Sequence, residues 1–199
     1  MALTYATLQT QIADFLNRDD LTAQIPTFIL MAEAAFNRDI RHWKMETRLD
    51  FTVNERYEDV PADWLQTIRL SISGKRQLDL VSQAKLMALR EGRGDTAGNP
   101  RFYSTSVGQF EFLPTPDADY DASLIYLAKI PELTVSATTN WLLLDSPDAY
   151  IYGALLHSAP YLQEDARVAV WAGLYKDAAN RLNTSSKADL YGGSGLTMR

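Results

Sequence analysis

Apolar residues recur every three or four positions near each end of the chain and every second position between. Near the start, Leu8, Ile12, Phe15 and Leu16 share one face of a helix that Thr4 can cap and that Asn17-Arg18-Asp19-Asp20 breaks. Pro26 opens a second helix, along which Ile29, Ala32, Phe36, Ile40 and Trp43 step by three or four. Residues 140–182 read as another pair. Ser146 fits the N-cap, Pro147 the first helical position, and Asp148 sets a negative charge at the positive dipole end. Ile151, Leu155, the small Ser158 and Leu162 follow at helical spacing. After a corner at Glu164-Asp165, Val168, Trp171, Tyr175, Ala178 and Leu182 form one stripe. Two amphipathic helices cannot bury both stripes on each other alone, so each pair supplies the other's partner. The pattern predicts a four-helix bundle from residues 1–44 plus 141–190.

Between the pairs the period falls to two. Met45, Thr47, Leu49, Phe51 and Val53 alternate with Glu46, Arg48, Asp50 and Thr52, a strand with one wet face. Asn54-Glu55-Arg56 reads as a turn, with residues 57–60 returning as a strand that Pro61 ends. Ile68, Leu70 and Ile72 alternate before Ser73-Gly74-Lys75, and residues 77–80 complete a hairpin. Ser82 caps a short helix through Leu89, and residues 92–100 form a loop holding three of the ten glycines. Further strands are predicted at 102–104, 109–113 and 122–127; residues 130–139, rich in Thr and Ser, read as irregular. The fold class is therefore α+β: a helical bundle carrying a β-rich, sandwich- or barrel-like insertion over 45–140, all one structural unit. Residues 191–199, with three glycines, cost too much backbone entropy for an isolated regular element and are expected to be a flexible arm.

Bulk properties narrow the function classes. A chain of 199 residues buries roughly 70% of its unfolded surface, enough for a core. A net charge of −6 argues against general nucleic-acid coating, which needs clustered Lys and Arg. With no cysteine there is no disulfide or thiolate metal site, which is compatible with a reducing compartment. MALTYATLQTQ lacks a basic n-region and an apolar h-region, so no signal peptide is expected, and the longest apolar run, 28–32, is far short of a membrane span. Synthesis and assembly in the cytosol follow.

Candidate chemistry is sparse. The two histidines, His42 and His157, lie in helical patterns and read as structural, His42 as a partner for a helix C-terminus. No HExxH, GxSxG or CxxC occurs. Gly92-Arg93-Gly94-Asp95-Thr96-Ala97-Gly98 lacks the Gly-Lys-Ser/Thr and the following helix of a phosphate loop; Arg93, Asp95 and Asn99 read instead as a mobile loop that touches a neighbouring subunit. Asp117, Asp119 and Asp121 sit at alternate positions like the start of a calcium loop, but strands flank them, and a solvated turn is the better reading. Phe51, Tyr57, Trp64, Phe102, Tyr103, Phe110, Phe112, Tyr120 and Tyr126 either form core and cross-strand pairs or line a platform for a glycan or other ligand. No catalytic residue, cofactor site or metal site is predicted.

Several segments together resemble the head-to-tail adaptor (connector) proteins of tailed bacteriophages. They begin with Ile12-Ala13-Asp14-Phe15-Leu16-Asn17-Arg18-Asp19-Asp20-Leu21, Ile25-Pro26 through Ala32-Glu33, and Ile40-Arg41 to Met45-Glu46. Val60-Pro61-Ala62-Asp63-Trp64-Leu65, Gly98-Asn99-Pro100-Arg101-Phe102-Tyr103 and Leu113-Pro114-Thr115-Pro116-Asp117 follow. Leu124-Ile125-Tyr126, Ile130-Pro131-Glu132-Leu133, Pro147-Asp148-Ala149-Tyr150 and Tyr161-Leu162-Gln163-Glu164-Asp165 complete the set. The resemblance implies a non-enzymatic virion protein at the head–tail junction, assembled in the host cytoplasm. It implies a homo-oligomeric ring, typically a dodecamer, beneath the portal protein, docking a downstream tail, stopper or nozzle protein. It implies that DNA passes through the lumen without specific binding and that no membrane is involved. In that family C-terminal segments reach the portal, which gives Tyr191, Gly192, Gly193, Leu196, Met198 and Arg199 a docking role.

Overall fold

The computed structural model describes residues 3–72, 76–94, 96–162 and 166–191. Among them are six α-helices: α1 (Tyr5–Leu16), α2 (Ile25–Asp39), α3 (Gln83–Arg93), α4 (Trp141–Asp145), α5 (Pro147–His157) and α6 (Arg167–Tyr191). The strands are β1 (Glu46–Val53), β2 (Tyr57–Asp59), β3 (Trp64–Ile72), β4 (Arg76–Gln77), β5 (Asp79–Leu80), β6 (Phe102–Ser106), β7 (Gln109–Leu113) and β8 (Tyr120–Ala128). The fold is mixed α+β. Its contacts divide the chain into two compact units, Met1–Lys44 with Ile130–Arg199, and Met45–Lys129.

In the helical unit, Thr4 caps α1 through a reciprocal box with Thr7, and Asn17 ends it in the left-handed region at φ 52°. Helix α5 is apolar on every side and lies against α1, α2, α4 and α6. Gly153 permits the approach to α2: a Cβ there would lie 3.0 Å from the Phe36 ring and 3.2 Å from Ala32 Cβ. Phe36 is fully buried, edge-on to Tyr150 at 4.9 Å and tilted against Tyr175 at 6.0 Å.

Three details differ from the periodic reading. Helix α2 stops at Asp39, before Trp43, which sits in a 3-10 turn and is 40% exposed. Arg41 Nη1 donates to the Asn37 carbonyl at the stop, and α6 holds it: Asn183 Nδ2 donates to the Asp39 carbonyl and its Oδ1 accepts from the Arg41 N–H, while Ser186 Oγ accepts from the Trp43 N–H. Residues 140–182 hold three helices rather than two. Asn140 caps α4 by accepting from the Leu143 N–H, whereas Ser146 stands at the N-cap of α5 without a side-chain capping bond. Last, α6 runs beyond Leu182 to Tyr191, so Tyr191 belongs to the helix rather than to an arm.

Residues 130–140 carry no regular element and group with the helices. Buried polar bonds tie them there. Glu33 Oε1 accepts from the Leu133 N–H at 2.8 Å and from the Tyr150 hydroxyl at 3.0 Å, and Asn140 Nδ2 donates to the Pro131 carbonyl. Asn37 Oδ1 accepts from the Ile130 N–H.

The strand unit has two four-stranded sheets, ordered β1-β8-β3-β4 and β2-β7-β6-β5. Their side chains share one core, built on Val53, Leu70, Ile72, Phe110, Phe112, Leu124 and Tyr126 with Trp64 and Phe51 packed against it. The central strand β8 alternates without a break, burying Ala122, Leu124, Tyr126 and Ala128. Pairing does not follow sequence order. β1 pairs with β8, and β2, expected to return beside β1, joins β7 in the other sheet. The expected hairpin over 77–80 reduces to β4, since β5 crosses to pair parallel with β6; its turn, residues 73–75, lies outside the described residues. Ser82 does cap α3, but the helix continues through Gly92 to Arg93, which shortens the predicted loop.

Candidate interaction surfaces

The residues singled out from sequence separate into different places. Gly192, Gly193, Leu196, Met198 and Arg199 lie outside the described residues, as does Asp95. Arg93 ends α3, Gly94 takes φ +74°, and Asn99 is exposed. The far end of this loop is anchored by the Gly98 N–H, which donates to the Thr115 carbonyl.

The aromatics do not form a platform. Phe110, Phe112, Tyr103 and Tyr126 are buried between the sheets, and Phe51, Trp64, Phe102 and Tyr120 are half-buried. Trp64 packs edge-on to Phe110 and donates its indole N–H to Thr67. Tyr57 is the exposed member, under the Arg56 guanidinium and donating to Glu111. His42 lies beyond the end of α2, buried and stacked on Trp141 at 5.1 Å, with Nδ1 accepting from the Lys44 N–H. It fills a packed corner. Asp117, Asp119 and Asp121 are exposed, Asp117 accepting from the Tyr120 hydroxyl. Among the described residues no group of three His, Asp or Glu is placed to hold a metal ion.

Two carboxyls are buried and hydrogen-bonded. Glu111, on β7, accepts from Arg56 Nη2 at 2.7 Å, Arg90 Nη1 at 2.5 Å and Gln83 Nε2 at 2.5 Å. Gln83 and Arg90 come from α3, so the carboxylate fastens that helix to the second sheet. Burial pushes the carboxyl up, but the bonds from Arg90, Gln83 and Arg56, with the Arg90 charge, outweigh it and hold it at about 2. A carboxylate so stabilised is a poor proton acceptor near neutrality. Its chemistry is that of a clasp.

Glu33, in the helical unit, goes the other way. Burial raises its carboxyl against the bonds from Leu133 and Tyr150, and Glu132 adds to the rise. Burial and then the Glu33 charge raise the Tyr150 phenol above its ordinary range. Glu33 borders a cleft of about 310 Å³ lined by Tyr5, Thr27, Leu30, Glu132 and Thr134.

What the periodic reading missed is apolar surface. On α2, Leu30 and Met31 are 54% and 46% exposed, although the same helix buries Phe28 and Ile29. On α1, Phe15, which the spacing sets on the buried face, is half-exposed; on α6, Val170 and Leu174 point outward one turn apart. The signal was present in the run Phe28-Ile29-Leu30-Met31-Ala32, which is apolar around the whole helix. Such surface marks protein–protein contact more often than chemistry. No helix among the described residues is long and apolar enough to cross a membrane.

A search among curated proteins finds no significant match. One family model, described as SU10 adaptor protein, matches residues 3–199, nearly the whole chain. This agrees with the segment resemblance to phage head-to-tail adaptors and places a structural, assembly role ahead of catalysis. The chain belongs to the SU10 adaptor protein family.

Proposed function

We propose that this protein is the head-to-tail adaptor of a tailed phage, forming a ring below the portal, docking the next tail component and letting DNA pass. The family match over residues 3–199 carries the reading. The helical unit, with α1, α2, α5 and α6 as a four-helix bundle, is the scaffold, and residues 192–199 are the segment that reaches the portal. The exposed Leu30, Met31, Val170 and Leu174 supply apolar area for subunit contacts. The loop bearing Arg93, Asp95 and Asn99 touches the neighbouring subunit. The net charge of −6 suits a lumen through which DNA slides without sticking. A ligand-binding role for the strand aromatics has no supporting surface, because eight of the nine are buried or half-buried.

Electron microscopy of the purified chain mixed with portal rings tests this. The expected result is a twelvefold ring of this chain on one face of the portal, with binding weakened when residues 192–199 are deleted. No association with the portal overturns the adaptor reading, and unchanged binding after the deletion removes the arm from it.

A further inference from the structure

Sheets protect their edges, and here one edge is left open. Strands β2, β4 and β5 are two or three residues long and offer a partner little backbone. The part of β3 that β4 does not cover carries two register shifts against β8, which twist an edge away from flat pairing. Strand β1 has neither defence. It runs eight residues in unbroken register with β8, its first five residues are exposed, and no strand among the described residues flanks its other side. A long, regular, open edge is a template for another strand.

The side chains of β1 say which strand. Glu46, Arg48, Asp50 and Thr52 stand on one face, and Thr47, Leu49 and Phe51 on the other. Within the chain Arg48 and Asp50 pair at 3.0 Å, both well exposed, and Leu49 is 40% exposed. We infer that β1 pairs antiparallel with β1 of a second copy of this chain, about a two-fold axis through Leu49. In that register Arg48 lies opposite the partner's Asp50, and Asp50 opposite the partner's Arg48. Leu49 meets its own copy, and Thr47 meets the partner's Phe51. Directly opposite pairs decide register. Sliding by two residues one way sets Arg48 against itself and Glu46 against the partner's Asp50; sliding the other way sets Asp50 against itself. A slip by one puts apolar side chains on the charged face.

Charges on an edge also serve to keep it unpaired, and for that a row of one sign is effective because copies repel. This row alternates and matches itself in one register. The contact is isologous, distinct from the head-to-tail contacts a ring needs, and it stands or falls independently of the adaptor reading.

Sedimentation and light scattering on the full chain test it. The wild type is expected to form dimers at micromolar concentrations. Arg48→Asp and Asp50→Arg each set like charges opposite twice across the axis and are expected to weaken dimerisation about tenfold or more. An equimolar mixture of the two variants is expected to dimerise again, because two carboxylates then face two guanidiniums. The chain has no cysteine, so Leu49→Cys is expected to give an oxidised dimer readily, and Arg48→Cys, facing the partner's Asp50, much less. Circular dichroism confirms that each variant folds. A wild type monomeric at about 100 µM overturns the pairing. So do single variants that associate like the wild type, a mixture that fails to dimerise, or equal crosslinking at positions 48 and 49.

Discussion

Replacing Glu111 with Gln keeps the shape of the side chain and removes the charge that Arg56, Arg90 and Gln83 converge on. The carboxyl falls from its ordinary 4.5 to about 2, which at about 1.4 kcal/mol per pH unit is roughly 3 kcal/mol. The carboxylate is 3% exposed and Arg90 13%, but Arg56 is 35% exposed and partly screened by water. The expected loss is therefore about 2–3 kcal/mol at pH 7.

The pH dependence has a definite sign. The folded carboxyl titrates below the unfolded one, so the native state binds fewer protons between about 2 and 4.5. The Glu111 contribution is fully present above 4.5 and is lost as the pH falls through about 2. Other carboxyls titrate in the same range, so the informative quantity is the difference between wild type and Glu111→Gln. That difference should be constant from pH 8 to 5 and shrink below. Urea unfolding followed by fluorescence serves as the assay, since Trp64 is the one tryptophan in the strand unit and packs on Phe110. A loss under about 0.5 kcal/mol, or a difference independent of pH, would show that the clasp does not stabilise the fold.

Other perturbations probe the helical unit. Gly153→Ala gains up to about 1 kcal/mol of helix propensity but drives a methyl into Phe36, which is held by Tyr150 and Tyr175; overpacking of about 1–3 kcal/mol wins, so the melting temperature should fall. Glu33→Gln keeps an acceptor for Leu133 and Tyr150 while removing a buried charge. Because burial raises the Glu33 carboxyl in the fold, its contribution is lost as pH rises past the unfolded value; the variant should gain on wild type between pH 5 and 8, and equal stability across that range would refute the burial argument. Deleting residues 192–199 should leave the unfolding curve unchanged while weakening portal binding.

Element type was legible in the sequence because one property, periodicity, decides it. The steps at Leu8, Ile12 and Leu16 and the alternation from Ala122 to Ala128 map directly onto buried faces. Local chemistry was legible where it acts within a turn, as at Thr4 and Ser82. What failed was whatever depends on distant residues. The end of α2 is held partly by a neighbour, Arg41, which donates to the Asn37 carbonyl, and partly by Asn183 and Ser186, far along the chain. Nothing near Tyr57 says that β2 leaves β1 for β7, since a period of two fixes a face and not a neighbour. The Glu111 clasp is spread over Arg56, Gln83 and Arg90, and its members carry no motif. The outward Leu30 and Met31 differ: a period of 3.6 marks the buried face and carries no information about apolar residues on the other.

The same long-range capping bears on how α6 presents the chain beyond it. Helix α6 spans 25 residues, about 37 Å at 1.5 Å per residue, and buries Trp171, Tyr175, Ala178, Leu182 and Ser186. Among the described residues it is tied by the side chains of Asn183, to Asp39 and Arg41, and of Ser186, to Trp43. If residues 192–199 carry the portal contact, these bonds fix where that segment starts, which lowers the ordering cost on binding. Asn183→Ala with Ser186→Ala removes hydrogen-bond partners worth about 1 kcal/mol each, too little to unfold the unit but enough to loosen the final turns. Amide exchange over residues 183–191 should accelerate, and portal affinity should fall toward that of the deletion although residues 192–199 are unaltered. Faster exchange with unchanged affinity would mean that the arm binds as a free tether and that the rigidity of α6 serves the helical unit alone.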